Sequence, residues 1–226
     1  MKTWNEEAGF VVWDEVLPRD SLGALIGEAE RLFSEDGRRP AGVRGVLGRS
    51  NLFADVAASR LVRDGVESIL GPGAFPVRSL LFDKSPEANW DVPWHQDTTI
   101  AVERQDDATG FGPWSVKVGV PHVRPPASVL EAMLTVRLHF DDCTADNGPL
   151  MVVPGSHRKG VYSPPPDIDQ LERAKTVCAV PAGGAVVMRP LILHASRKAL
   201  AAAHRRVLHI EFAAGPLPEP LAWARL

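Results

Sequence analysis

Between Pro18 and Phe33 the apolar residues Leu22, Leu25, Ile26, Ala29, Leu32 and Phe33 recur every three or four positions, the spacing that gathers side chains on one face of an α-helix. Asp20 or Ser21 stands where an N-cap is expected. The same period runs from about Ser50 to Leu70 through Leu52, Phe53, Val56, Ala57, Leu61, Val62, Val66 and Leu70, and Gly71-Pro72 ends it. A second amphipathic helix over 50–70 is therefore predicted.

Beyond Gly73 the pattern changes. Phe75–Phe82 is rich in Val, Leu and Phe, Leu134–Phe140 alternates around Val136 and Leu138, and short apolar runs recur at Leu150–Val153, Thr176–Val180, Ala185–Met188 and Val207–Phe212. Bounded by Pro, Gly and Asp turns, these predict six or more strands. Helices first and strands afterwards, without strand–helix alternation, argue against a doubly wound or TIM-barrel fold and for a mainly β protein with N-terminal helices, an antiparallel jelly roll. One domain over 1–226 is expected, with 1–72 mainly helical and 73–226 forming the jelly-roll core. Residues 98–129 have little periodicity and exceed the usual loop length, as a lid-like insertion over a site would.

Composition narrows the partners. Lys plus Arg number 25 against 28 Asp plus Glu, a formal charge of −3, which gives no electrostatic reason to expect nucleic acid or an anionic membrane. No run approaches the ~18 apolar residues of a spanning helix, so a soluble, cytoplasmic protein acting on a small molecule is expected. Cys143 and Cys178 are the two cysteines, too few for a disulfide framework or a Cys-rich zinc site. Any metal must rely on histidines and carboxylates.

His95-Gln96-Asp97 offers an imidazole and a carboxylate two residues apart, on the same side of an extended backbone. His194, in the apolar run Leu191-Ile-Leu-His-Ala-Ser196, is a candidate third ligand, and Arg205 heads the strand that follows. Two histidines and one carboxylate leave positions open on an octahedral iron for a bidentate co-substrate and dioxygen. His122, His139, His204 and His209 have no comparable partners and are assigned to packing or surface. His157 closes the turn Pro154-Gly-Ser-His and is given a structural role. Arg137 and Lys84 lie near apolar strands and are open to either anion binding or surface snorkelling. Trp90 and Trp94 flank the metal motif as pocket wall or core.

Taken together and in order, His95-Gln-Asp97, Asn147-Gly-Pro-Leu-Met-Val-Val-Pro-Gly-Ser-His-Arg-Lys-Gly160, Pro190-Leu-Ile-Leu-His194-Ala-Ser196 and His204-Arg205-Arg206 resemble the signature of the phytanoyl-CoA dioxygenase family. The resemblance implies a double-stranded β-helix, the cupin-like form of the jelly roll, and an oxidoreductase dependent on iron(II), 2-oxoglutarate and O2. It implies His95, Asp97 and His194 as the metal-binding and catalytic triad. It also implies that the arginine eleven residues after the distal histidine, Arg205 rather than Arg206, holds the far carboxylate of 2-oxoglutarate. Ser196 and Trp114 match positions that contact the co-substrate. Retention of Asp97 favours hydroxylation of an unactivated C–H over halogenation, while desaturation or cyclisation share the cofactor. A metal-dependent cupin-type isomerase or lyase that does not use 2-oxoglutarate is the alternative from another class, and a non-catalytic binding domain is a third reading.

Overall fold

The computed structural model describes residues 2–35, 40–164, 166–200 and 203–225. Its elements begin with β1 (Phe10–Trp13), α1 (Leu22–Ser34), β2 (Gly42–Arg44), α2 (Asn51–Ala58) and α3 (Arg60–Leu70). Then come β3 (Phe75–Lys84), β4 (Val92–His95), β5 (Ile100–Ala101), β6 (Trp114–Lys117), β7 (Val120–Val123), α4 (Ala127–Glu131) and β8 (Met133–His139). The last are β9 (Leu150–Val152), α5 (Ile168–Ala174), β10 (Thr176–Cys178), β11 (Ala185–Met188), β12 (His194–Ser196) and β13 (Arg205–Ala213). Among the described residues no helix is long and apolar enough to cross a membrane.

Period-two alternation decides how these elements stack. A large antiparallel sheet runs β1-β11-β8-β13-β3-β2, and a smaller one runs β10-β9-β12-β4. On one face of the large sheet Leu81, Leu134, Val136, Leu138, Ala185, Val187, Leu208, Ile210 and Phe212 pack against Leu25, Ala29, Leu32, Phe33, Phe53, Ala57, Val62 and Val66 of the helices. The residues between them in the strands face the other way, toward the smaller sheet. Val186 and Met188 meet Leu150, Val152, Cys178 and Ile192 there in a second apolar cluster. This is the two-sheet architecture of the double-stranded β-helix with helices on one side.

The structure departs from the sequence reading at three places. A strand precedes the helices: β1 pairs with β11 at the sheet edge, Phe10 opposite Met188 and Trp13 opposite Ala185. Val11 and Trp13 join the helix-side core while Phe10 and Val12 touch the inter-sheet cluster. Being apolar on both faces, the short run lacks the alternation that marks a half-exposed strand. The single helix expected over 50–70 is two, because Ser59 adopts φ −58° and ψ 148° between α2 and α3. Ser50 caps the first through Phe53 N at 3.3 Å, whereas at α1 the Ser21 hydroxyl donates to Pro18 O and caps nothing. Gly65 of α3 lies flat on Trp13, where a Cβ would come within 2.6 Å of the indole.

The third departure concerns 98–129. The segment contains β5, β6 and β7, a three-stranded sheet in the order β5-β7-β6, followed by α4. Ile100, Val102, Val123 and Leu130 root it in a cluster with Val77, Met133 and Ala213 at the ends of β3, β8 and β13. Strands of two to four residues are too short for a period to register.

Candidate active site

The inward faces of β3, β8 and β13 carry what the outward faces exclude. In register, Lys84 stands opposite Arg205, Phe82 opposite Val207, Leu80 opposite His209 and Arg78 opposite Glu211. Arg137 of β8 is opposite His209 on the other side of β13. All of these except Val207 line one cavity between the two sheets, together with His95, Asp97, His194, Ser196 and Trp90.

His95 and His194 are cross-strand partners on β4 and β12, their ring centroids 4.1 Å apart. Each Nδ1 lies 2.9 Å from the carbonyl oxygen two residues before it, Pro93 O and Ile192 O respectively. A carbonyl can only accept, so both rings carry their proton on Nδ1 and present the Nε2 lone pair to the cavity. Asp97 closes the set: its Oδ1 is 3.9 Å from His95 Nε2 and its Oδ2 is 3.6 Å from His194 Nε2. One donor atom from each lies within 4.8 Å of the other two. Burial holds His194 down to about 4 despite the Asp97 charge, so its ring is neutral, as a metal ligand must be. Burial opposes the Asp97 charge, but His194, His209, His95 and Arg78 outweigh it and keep this carboxyl well below the usual range.

The motif residues between the ligands serve as scaffolding. Gln96 must point away from the cavity, and its amide donates to Gly160 O at 2.8 Å and Leu191 O at 2.6 Å while accepting from Tyr162 N at 2.9 Å. It thereby ties β4 to the chain leading into His194. Asp97 N donates to Pro190 O at 3.0 Å. In the turn after β9, Ser156 Oγ accepts from Leu193 N at 2.8 Å, fixing the residue before the distal histidine. His157 is buried with Nε2 3.1 Å from Glu6 O, in the structural role expected. Gly148, at φ +70°, brings its loop so close to the Arg197 carbonyl that a Cβ would lie 2.5 Å away. Its own carbonyl accepts from Ser196 Oγ at 2.9 Å.

Ser196 Oγ in turn accepts from Lys84 Nζ at 2.7 Å and from Arg205 Nη2 at 3.5 Å. Arg205 is 2 % exposed, yet among the described residues its Nε and Nη1 meet no oxygen or nitrogen acceptor; burial lowers its pKa, and the Cys143 thiol is the first of the groups that offset this. A buried guanidinium with two free donors beside a serine and a lysine fits one carboxylate gripped by charge-assisted bonds. Burial, then repulsion from Arg205, pushes Lys84 down to about 7. Arg206, its alternate neighbour, faces out and pairs with Asp141 and Glu30.

Trp114 is not part of this assembly. It sits on β6 opposite Val123 and packs against the third apolar cluster, away from the cavity's lining. Trp90 lines the cavity, whereas Trp94 donates to Glu172 at 2.8 Å outside it. Lys84 and Arg137 are both buried cavity residues rather than surface ones. His209, assigned from sequence to packing or surface, is a wall residue 2.8 Å from Arg137 and 3.3 Å from Glu211. Arg78 and Glu211, joined at 3.0 Å, were not singled out by sequence. The signal was available: once Arg205 faces inward, period two along β13 turns His209 and Glu211 inward as well.

Comparison with known proteins agrees with this geometry. The chain is 29% identical over 171 residues to the ectoine dioxygenase of Bordetella bronchiseptica, covering 68% of this chain and 47% of that protein. It is 24% identical over 163 residues to the enzyme of the same name from Sphingopyxis alaskensis, covering 66% and 46%. The matched region thus spans about half the length of these curated relatives. Among solved structures, EctD from S. alaskensis in its apoform superposes with a TM-score of 0.74 at 18% identity, covering 97% of this chain and 81% of that one. AviO1 from Streptomyces viridochromogenes gives 0.66 at 21% identity, with 94% of each chain covered. The fold is that of these double-stranded β-helix proteins. Residues 5–207, most of the chain, match the family model described as phytanoyl-CoA dioxygenase (PhyH), and the chain belongs to that family.

Proposed function

We propose that this protein is an iron(II)- and 2-oxoglutarate-dependent dioxygenase that hydroxylates a small molecule. The observation that carries the reading is the convergence, in one cavity, of three mutually adjacent ligand atoms from His95, Asp97 and His194 with the unpartnered buried donors of Arg205. Bound iron(II) would supply dioxygen activation coupled to decarboxylation of 2-oxoglutarate, leaving succinate, carbon dioxide and an oxidised product.

The chain's own residues do the rest. His95 and His194 hold the metal through Nε2 because their Nδ1 protons are committed to backbone carbonyls, and Asp97 supplies the anionic ligand. Arg205, with Ser196 and Lys84 beside it, anchors the far carboxylate of 2-oxoglutarate and so sets its keto acid end toward the metal ligands. Phe82, Leu80, Leu150 and Trp90 supply the apolar part of the walls, which limits the access of bulk water to the reacting centre. The small-molecule class agrees with relatives named for ectoine.

The test is succinate formation from 2-oxoglutarate with iron(II) across a panel of small molecules that includes ectoine, followed by product mass. The expected product gains one oxygen, and His95→Ala abolishes substrate-dependent succinate. Turnover without 2-oxoglutarate, or full succinate formation by His95→Ala, overturns the reading.

A further inference from the structure

A second cavity adjoins the first, and Arg78 lines both. Its other walls include Arg44 of β2, Lys117 of β6, Val120 and His122 of β7 and the turn residue Val118 between them. The charge balance is one-sided. Arg78 is paired with Glu211, and Arg225 with Glu103 at 3.4 Å. Among the described residues Arg44 and Lys117 meet no carboxylate, and Lys117 Nζ donates only to the neutral Thr99 hydroxyl at 3.1 Å. Arg78 Nη1 donates to the carbonyl of the same Thr99 at 3.4 Å, and among the described residues its buried Nε has no partner.

Thr99 is two residues beyond the metal-ligand candidate Asp97, so Lys117 and Arg78 are both hydrogen-bonded to the segment that carries this candidate ligand. Burial, then repulsion from Arg78, lowers both Arg44 and Lys117, and the more distant charges of Glu211 on both and Asp97 on Lys117 only partly offset it. The rim is built at some conformational cost. Val118, 84% exposed, holds φ 50°, a left-handed conformation that is strained for a β-branched residue and clusters at functional sites. Val116 and Val120 beside it are exposed too.

We infer that this second cavity binds the anionic head group, carboxylate or phosphate, of the molecule that is oxidised, with Arg44 and Lys117 supplying the charge and Arg78 the link to the iron cavity. Val118 and Val120, apolar and at the cavity's edge, cover the part of the substrate between head group and bulk water. The two anions of the reaction are thereby kept apart. Along β13 the Arg205 end and the Glu211–Arg78 end are six residues, roughly 20 Å, from one another, so co-substrate and substrate charges do not compete for one arginine.

The assignment of the anion as substrate rests on the dioxygenase reading, but its binding can be measured separately. Inorganic phosphate and acetate are titrated calorimetrically into the full chain under anaerobic conditions, with iron(II) and saturating 2-oxoglutarate occupying the Arg205 end. One of the two binds the wild type, phosphate alone indicating a phosphorylated substrate and acetate a carboxylate. Arg44→Gln combined with Lys117→Gln weakens that binding by about tenfold or more, while Arg44→Lys with Lys117→Arg restores it and 2-oxoglutarate affinity is unchanged. Neither anion binding, equal binding to the Gln variant, or a parallel loss of 2-oxoglutarate affinity overturns the inference. Failure of the wild type to bind 2-oxoglutarate would instead count against the dioxygenase reading, leaving the anion measurement to stand alone.

Discussion

Arg205 is the residue on which the co-substrate assignment turns, and its environment sets the size of the expected effect. Truncating one partner of a buried, hydrogen-bonded charge pair costs about 2–5 kcal/mol. Arg205→Gln is therefore expected to raise the 2-oxoglutarate requirement roughly 30-fold or more, measured as the KM for 2-oxoglutarate in succinate formation. Lys84 adds a pH signature. Its free-protein value of about 7 reflects burial and the facing Arg205, and a carboxylate placed between the two relieves that repulsion and raises it. At about pH 8, where the unliganded amine is largely neutral, binding 2-oxoglutarate should take up a fraction of a proton, and at about pH 6, where it is already charged, the uptake should vanish. Calorimetry in buffers of differing ionisation enthalpy reads this directly, and Lys84→Met should abolish it. Sequence exposed Arg205 because it follows a histidine in an ordered motif. Arg78 and Glu211 escaped because a charged residue inside an apolar strand has two explanations, and only the opposing strand decides between cavity and solvent.

Elements were legible where they are long and set an apolar face against a polar one. α1, β3, β8 and β13 run for 7 to 13 residues with one apolar face, and each lies within a few residues of where the pattern puts it. β1 and the strands of 98–129 are short or apolar on both sides and leave no periodic trace, and the Ser59 break is invisible because the helical period resumes in nearly the same phase. The helical layer is separable from the chemistry: Phe53 of α2 is fully buried and 5.7 Å from Phe140, on the face of the sheet away from the cavity. Phe53→Ala should cost about 3–5 kcal/mol, a fall in Tm of roughly 6–20 °C at about 2–4 °C per kcal/mol for a chain of this size. Scanning calorimetry checks it, and 2-oxoglutarate affinity below the transition should not change.

At the scale of the whole molecule, the large sheet acts as a partition. Its outer face is committed to α1, α2 and α3, and its inner face holds Arg78, Lys84, Thr135, Arg137, His139, Arg205, His209 and Glu211, most of them buried. A protein interior seldom tolerates so many polar groups unless something else completes their hydrogen bonds. On the dioxygenase reading, the free donors of Arg205 would make 2-oxoglutarate a participant in the folding equilibrium as well. A ligand that binds only the native state stabilises it by about 2.7 kcal/mol at one hundred times its Kd, so 2-oxoglutarate should raise the Tm of the wild type, and the rise should disappear in Arg205→Gln. The abundance of such a protein in a cell would then follow the supply of its co-substrate, the chain being longest-lived when there is something for it to decarboxylate.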